Sequence, residues 1–278
     1  MSSLRRVINL MEYEWKRTLA KKKFFLLVAL ALLIQVGTFL LFRNLPIEIE
    51  ISSEVKSTMW LTGLLSPQGL FLPLIAMIIA GSAMAEEYEH GRADILLSKP
   101  ITKREYLSGK YLGGLSILSV VIALMAILPI GLGWMFFGPQ TNLQFAPVMY
   151  VTLVYANLLV FSLAFLFSEV IRSSTAAMIA TIGIYIGSSI VGSYLSIMYT
   201  ITGEEVYQTI YKALPSWSTN NFPMFIAAEL MRTPDNPFIG IISGDFQLAA
   251  VLIAGYMIIS VVLSYFKFSR SDIANKVG

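Results

Sequence analysis

A short charged stretch near the middle of the chain contains residue types that could perform acid–base or metal chemistry. The sequence EEYEHGR, at positions 86–92, combines adjacent glutamates with a histidine and an arginine. Paired carboxylates can act as general acid and base, and together with histidines they can bind a catalytic metal. Such a metal site needs several histidine or cysteine ligands, yet His90 is the only histidine and the chain has no cysteine. The sequence therefore predicts no catalytic residues and no metal site.

The pair Gly109-Lys110 is the other candidate for chemistry, because a Gly-Lys pair occurs in phosphate-binding loops. That loop requires a glycine at position 104 and a serine or threonine after the lysine. This chain has Arg104 and Tyr111 at those positions. We therefore expect no ATP hydrolysis by this chain itself.

The elements that carry these residues are long apolar helices. The chain of 278 residues is 56% hydrophobic and 13% charged, whereas soluble domains are about 25% charged. A hydrocarbon core about 30 Å thick requires roughly 20 helical residues. Six runs reach this length with no charged residue or histidine in their interiors, so we predict one all-α integral membrane domain over residues 1–278. The predicted spans are 24–42, 64–85, 111–136, 147–167, 176–198 and 247–266.

The distribution of basic residues predicts how these spans are oriented. Positive charge accumulates on the cytoplasmic side of membrane proteins. The segments before the first span, between the second and third, between the fourth and fifth, and after the sixth hold 16 of the 20 lysines and arginines. We therefore expect a multi-pass protein of the cell membrane with both termini in the cytoplasm.

Residues 1–23 have the pattern of an amphipathic helix. Apolar residues recur every three or four positions, with charged residues between them, and this spacing favours a helix that lies in the plane of the membrane. Lys21, Lys22 and Lys23 follow it and would face anionic lipid. The alternative is a basic anchor with no further role. The apolar positions are Leu4, Ile8, Met11, Trp15 and Leu19.

The segment 86–110 is predicted to lie in the cytoplasm between the second and third spans. Its five acidic and five basic residues balance, so it is no site for nucleic acid. We predict one helix over 84–98, weakened at Gly91 and ended by Pro100, and a second helix capped by Thr102 and Glu105 as a capping box. Apolar residues within this charged segment are typical of a docking surface. They are Ile95, Leu96, Leu97 and Ile101.

Several residues inside the spans predict how the helices pack. Pro73 and Pro129 should kink the second and third spans and free backbone carbonyls that neighbouring helices or water must bind. Asn157 is expected to form a hydrogen bond between helices. Small residues in the fifth span permit close helix approach, either within the bundle or between two copies. These residues are Gly183, Gly187 and Gly192.

The predicted extracytoplasmic segment 199–246 contains an apolar stretch at 222–230. That stretch is too short to span a membrane, so we expect an interfacial or re-entrant helix that ends near Met231.

The segment between the second and third spans resembles the signature of type-2 ABC transporter permeases. The signature has an acidic pair, a glycine, a leucine pair, a small residue, a proline, a basic-acidic doublet and a Gly-Lys pair. Arg92 stands where the family commonly has threonine, and the turn FSEVIRSSTAA, residues 167–177, is similar to the serine-rich turn before the family's fifth helix. The matching residues are Glu86-Glu87, Gly91, Leu96-Leu97, Ser98, Pro100, Arg104-Glu105 and Gly109-Lys110.

The resemblance implies that the segment 86–110 contains the coupling helix of an exporter, which docks into a separate ATP-binding subunit. It implies two ATPase subunits, which bind ATP and Mg²⁺, and a second permease copy that packs near the first and fifth spans, in agreement with the glycines of span five. No cofactor is expected on this chain itself. The residues assigned to coupling are Glu86, Glu87, Gly91, Arg92, Leu96, Leu97, Pro100, Arg104, Glu105 and Lys110.

Two alternatives to transport remain open at the level of the sequence. A membrane anchor or assembly scaffold would have the same spans without moving a substrate. An intramembrane enzyme would need ionisable residues clustered inside the spans, where such residues are functional by default, and the six runs contain none.

Overall fold

The computed structural model describes residues 3–44, 56–92, 101–231 and 244–270. These residues are almost entirely α-helical and contain no strand, and six helical segments among them are long and apolar enough to cross a membrane. The predicted all-α membrane fold is therefore confirmed. The helices are α1 (Ser3–Leu19), α2 (Lys22–Asn44), α3 (Met59–Leu65), α4 (Phe71–Gly81), α5 (Ala85–Glu89), α6 (Lys103–Phe137), α7 (Ala146–Ile171), α8 (Ser174–Thr202), α9 (Glu205–Ala213), α10 (Pro215–Leu230) and α11 (Phe246–Arg270).

The centre of the bundle is formed by α4 and α7, which carry nearly half of the fully buried apolar side chains among the described residues. By contrast, α2, α8 and α11 bury only narrow stripes and leave large apolar side chains exposed. Such exposed apolar surface is the expected condition of helices that face lipid or another membrane chain. The bundle thus has a packed centre and an apolar periphery.

The second predicted span is interrupted rather than continuous. The helix breaks between α3 and α4, and Gln68 lies in this break. Its side-chain amide nitrogen donates to the Thr219 carbonyl of α10 at 2.9 Å. Asn157 donates to the Gln68 side-chain oxygen at 3.0 Å, which confirms the predicted bond between helices. Pro73 lies in the first turn of α4, where a missing amide hydrogen costs no helical bond. The prediction that Pro73 kinks a continuous helix was therefore wrong.

Pro129 frees a backbone carbonyl of the helix that contains it, as predicted. It lies inside α6, and because proline has no amide hydrogen, the carbonyl of Met125 loses its helical donor. The side chain of Gln35 on α2 donates to this carbonyl at 2.9 Å and to the Gly63 carbonyl at 3.1 Å. A neighbouring helix therefore binds the freed carbonyl, as predicted.

Replacement of Gln35 by leucine should lower the free energy of unfolding by about 1–3 kcal/mol, because it leaves the buried Met125 carbonyl without a donor; the Gly63 carbonyl keeps the Ser66 hydroxyl at 2.9 Å. Thermal unfolding of the purified protein in detergent measures this. Pro129→Ala restores the helical amide, so it should recover part of the loss in the Gln35→Leu background. Thr38→Val, which changes an exposed hydroxyl on the same helix, is the control. Equal stability of Gln35→Leu and wild type would contradict the assignment.

The segment after α8 forms two helices, α9 and α10. The second ends at Leu230, with Met231 as its C-cap, so its end lies where the sequence predicted it. It starts at Pro215, earlier than predicted, because proline is favourable in the first helical turn. Trp217 and Phe222 are buried as α10 packs against α7 and α11.

The glycines of α8 lie in two different environments. A Cβ atom at Gly192 would come within 3.0 Å of the Tyr211 ring, so this glycine permits close packing of α9 on α8. A Cβ atom at Gly183 or Gly187 would meet no atom of the described residues within 4 Å. Close packing within the chain is therefore confirmed at Gly192, whereas the other two glycines face open space.

Candidate coupling site

The first helix packs directly against the start of α6. A Cβ atom at Gly109 would lie 2.6 Å from Leu10 Cβ, and one at Gly113 would lie 2.8 Å from Glu14 Cβ. Only glycine permits this approach without displacement of α1. The face that α1 buries consists of Leu10, Glu14 and Thr18, which is not the predicted apolar stripe.

The predicted apolar stripe of α1 is only partly exposed. Leu4, Ile8 and Leu19 are exposed, whereas Trp15 donates to Ser116 Oγ of α6 at 2.8 Å and the backbone of Met11 lies against Gly113. The exposed members are the side chains that an interfacial helix would present to lipid. Glu14 is buried on the face of α1 that packs on α6. Charged contacts, and not apolar burial alone, therefore hold α1 against α6.

That charge belongs to a buried ion cluster, which we define as Glu14, Arg17, Glu87 and Lys110. Lys110 Nζ contacts Glu14 Oε1 and lies 2.6 Å from Glu87 Oε1. Arg17 Nη2 lies 2.6 Å from Glu14 Oε2. Glu14, Glu87 and Lys110 are completely buried. Buried charges are costly to desolvate, so each requires direct partners of opposite sign, and here each has them.

Further contacts extend the ion cluster to the end of α4. Arg17 donates to the carbonyls of Ser82 and Ala83 at 2.8 and 3.1 Å, which lie just past the last turn, where cations are favourable. Lys21 Nζ lies 2.6 Å from Glu86 Oε1. Burial lowers the pKa of the Lys21 ammonium, and the charge of Arg17 lowers it further, whereas Glu86 opposes this shift.

Tyr13 closes the cluster on the side of α1. Its hydroxyl donates to Glu87 Oε1 at 3.1 Å. Burial, supported by the charge of Glu87, raises the pKa of the Tyr13 hydroxyl, so it stays protonated and continues to donate. Lys110 Nζ lies 4.7 Å from the centre of the same ring, a favourable cation–π distance.

On its other side, α5 is bound to the end of α7. The backbone amides of Met84 and Ala85 donate to Ser168 Oγ at 3.0 and 2.8 Å, so a side chain from another helix satisfies the free amides at the start of α5. The Tyr88 hydroxyl donates to the buried Glu169 carboxylate at 2.8 Å. The serine-rich turn therefore contacts the segment 86–110 directly.

The same turn forms a second connection to α5. The Ser174 amide, at the start of α8, donates to Glu89 Oε1 at 2.8 Å, and a carboxylate there is favourable for the helix dipole. Arg172, with φ of 58°, places its guanidinium 4.5 Å from the centre of the Tyr88 ring. The helices α7 and α8 thus meet at α5.

The start of α6 is capped as the sequence predicted. Thr102 Oγ1 accepts from the Glu105 amide at 3.2 Å, and Glu105 Oε2 accepts from the Thr102 amide at 3.0 Å, so both halves of the capping box are present. Arg6 of α1 also binds Glu105, with Nη2 2.6 Å from Oε1. The ion pair between Arg6 and Glu105 therefore forms a second contact between α1 and α6, in addition to the packing at Gly109 and Gly113.

The start of α6 also contacts the end of α11. Arg104 Nε donates to the Tyr265 hydroxyl at 3.0 Å, and the Tyr106 ring stacks on Phe268 with centroids 5.6 Å apart. Because α6 continues without interruption to Phe137, its 35 residues form a rod about 52 Å long. Displacement of its first turn would be carried along this rod.

The structure places the residues assigned to coupling in three environments. Glu87, Glu105 and Lys110 are buried, whereas Glu86 and Arg92 are half-buried and Gly91 and Arg104 are exposed. Leu96, Leu97 and Pro100 lie outside the described residues. The predicted helix over 84–98 was wrong in its extent: α5 ends at Glu89, and Gly91 has φ of 63°, which breaks a helix and favours glycine.

Sequence reasoning did not identify the residues that hold this segment. They lie on α1, at Lys21 just after it, and in the last turn of α7. Their only local sign is the line of charged residues at positions 14, 17 and 21, which repeats at helical spacing. The missed residues are Tyr13, Glu14, Arg17, Lys21, Ser168 and Glu169.

Comparison with known proteins agrees with this arrangement. The family described as "ABC-2 family transporter protein" matches residues 8–273, which include most of α1 and all later helices. A protein of Bacillus subtilis (strain 168), named "Uncharacterized protein YhcI", is 24% identical over 253 residues, covering 82% of this chain and 74% of the relative. With six apolar helices and a family match over nearly its full length, the chain belongs to the ABC-2 family of transporter proteins and is a transmembrane subunit of an ABC transporter.

Proposed function

We propose that this subunit is the permease of an ABC exporter, which moves an unidentified substrate across the cell membrane with ATP hydrolysed by separate subunits. The observation that carries the proposal is the attachment of the segment 86–110 to the bundle. Its ends contact α1, α6, α7, α8 and α11 through ion pairs and hydrogen bonds. A segment attached in this way can transmit force, whereas a free loop cannot.

We assign different tasks to the buried and exposed members of this segment. The buried Glu87, Glu105 and Lys110 hold α5 and the start of α6 in place. Contact with the ATP-binding subunit falls to the exposed Arg104 and to Leu97 and Pro100. An ATPase movement at this surface would then displace the whole α1–α5–α6 unit, because the unit shares one buried ion cluster.

The active assembly in this proposal has two permease copies and two ATP-binding subunits, which bind ATP and Mg²⁺. The second permease copy would cover the open face of α8. Gly183 and Gly187 leave space there, and Ile179 and Ile190 on the same helix are 64% and 66% exposed. In this assembly both termini and the segment 86–110 lie in the cytoplasm, as the distribution of basic residues predicts.

Leu97→Asp and Arg104→Glu should each reduce co-purification of the ATP-binding subunit by at least about tenfold, because a carboxylate at a docking surface is desolvated without a partner. The measurement is capture of the co-expressed ATP-binding subunit on the tagged permease, together with its rate of ATP hydrolysis. Both variants should reach the membrane in normal amounts, since the two positions lie outside the buried cluster.

Lys56→Glu is the matched control, because it reverses an exposed charge on the predicted opposite side of the membrane. Normal co-purification and normal ATPase activity of both coupling variants would overturn the proposed docking surface. An ATPase that binds wild type but whose turnover never responds to it would instead favour a membrane anchor or scaffold.

A further inference from the structure

A groove of about 850 Å³ lies between the ends of α7 and α11. The two helices run in the same direction, so the groove leads from their lipid-facing flanks to their last turns. Its walls are apolar and its rim is basic. The residues that matter here are Phe167, Leu263 and Phe266 on the walls, and Arg172, Lys267 and Arg270 at the rim.

The order of these residues along α11 matches the order of groups in a phospholipid. Leu263 and Phe266 are half exposed, and Lys267 and Arg270 follow in the last turn of the same helix. The groove therefore presents apolar surface toward the middle of the helix and positive charge at its end. A phospholipid has the matching order of groups, with an apolar acyl chain followed by a negatively charged phosphate.

One acidic group lies close to the rim. Glu169 is buried, accepts a hydrogen bond from Tyr88, and lies within electrostatic reach of Arg172 and Lys267. The rim has three cations against this one carboxylate, so it keeps a net positive charge. The nearby carboxylate of Glu89 already accepts from the Ser174 amide.

We propose that this groove binds one anionic phospholipid, with its phosphate at Arg172, Lys267 and Arg270 and an acyl chain against Phe167, Leu263 and Phe266. Charge complementarity selects the headgroup, because guanidinium and ammonium groups form charge-assisted bonds with phosphate oxygens. Arg172 also covers the Tyr88 ring of α5. The bound phosphate would thus contact a residue that touches the segment 86–110.

The full-length protein in nanodiscs of phosphatidylcholine with a minor fraction of phosphatidylglycerol provides the test. Native mass spectrometry after release from the discs should find one retained phosphatidylglycerol per chain. The triple variant Arg172→Gln, Lys267→Gln, Arg270→Gln should retain it at least about tenfold less, because several cations near an anionic surface are lost together. Arg270→Gln alone, at the exposed end of α11, should give a smaller loss in the same direction.

The double variant Lys56→Gln, Lys212→Gln removes basic residues on the predicted opposite side of the membrane, away from the groove, and should retain phosphatidylglycerol like wild type. Equal retention by the triple variant and wild type would overturn the site. Loss of the lipid in the Lys56, Lys212 variant to the same extent would reduce the effect to overall charge and also overturn it. Displacement of the lipid by inorganic phosphate alone would show that the groove takes a free anion and not a lipid.

Discussion

Replacing Lys110 by methionine is expected to lower the free energy of unfolding by about 3–5 kcal/mol, the cost of leaving buried charge without its partner. Lys110 is completely buried between Glu14 and Glu87. Methionine preserves most of the side-chain volume but removes the cation, so the two carboxylates would face each other in a site without solvent. For a chain of this size the thermal midpoint should fall by roughly 10 °C.

Thermal unfolding in detergent, followed by tryptophan fluorescence, measures this prediction. Glu14→Gln in the Lys110→Met background removes one of the two carboxylates, so it should restore part of the lost stability. The control is Lys16→Met. Lys16 pairs with Glu12 within α1, and its side chain is 74% exposed. That change should cost less than about 0.5 kcal/mol. Equal midpoints for the two lysine variants would contradict the role of the buried cluster.

Gly113→Val is expected to destabilise the protein by about 3 kcal/mol or more and to abolish stimulation of the ATP-binding subunit. A Cβ atom at this position would lie 3.0 Å from Met11 Cα, which belongs to the backbone of α1. The backbone cannot rotate away as a side chain can, so α1 would move, and overpacking would be added to the loss of the contact between Glu14 and Lys110.

Gly131→Val is the matched control for this change, because it lies in the same helix and a Cβ atom there would meet no atom of the described residues within 4 Å. The two substitutions share their effect on helix propensity and differ in their contact with α1. Thermal unfolding and the ATPase rate of the co-purified complex are the two measurements. If both valine variants behaved alike in both, α1 would have no part in coupling.

The two predictions concern one physical unit. The helices α1, α5 and the start of α6 share buried charges, and buried charges tolerate only small displacements before their partners are lost. A purely apolar contact between these helices would permit sliding. The ion cluster therefore makes the unit stiff at the place where the proposed ATPase movement enters the bundle.

The amino-acid sequence alone determined the membrane-spanning character of the chain and some local features. Six uncharged runs of about 20 residues can be buried only in lipid or against each other, and in lipid their backbone must be helical. The capping box is equally local, because Thr102 and Glu105 are one helical turn apart. The effect of Pro129 on Met125 followed from the same short-range geometry.

Tertiary structure alone decided which charges meet. Tyr88 and Glu169 are 81 positions apart and Arg6 and Glu105 are 99 apart, so no periodicity in the sequence connects them. The resemblance to a known signature placed Glu87 and Lys110 in a coupling segment, but the packing of α1 on Gly109 and Gly113 buries them against Glu14. Helix patterns are set by neighbours within a turn, whereas the partner of a buried charge depends on how distant helices pack.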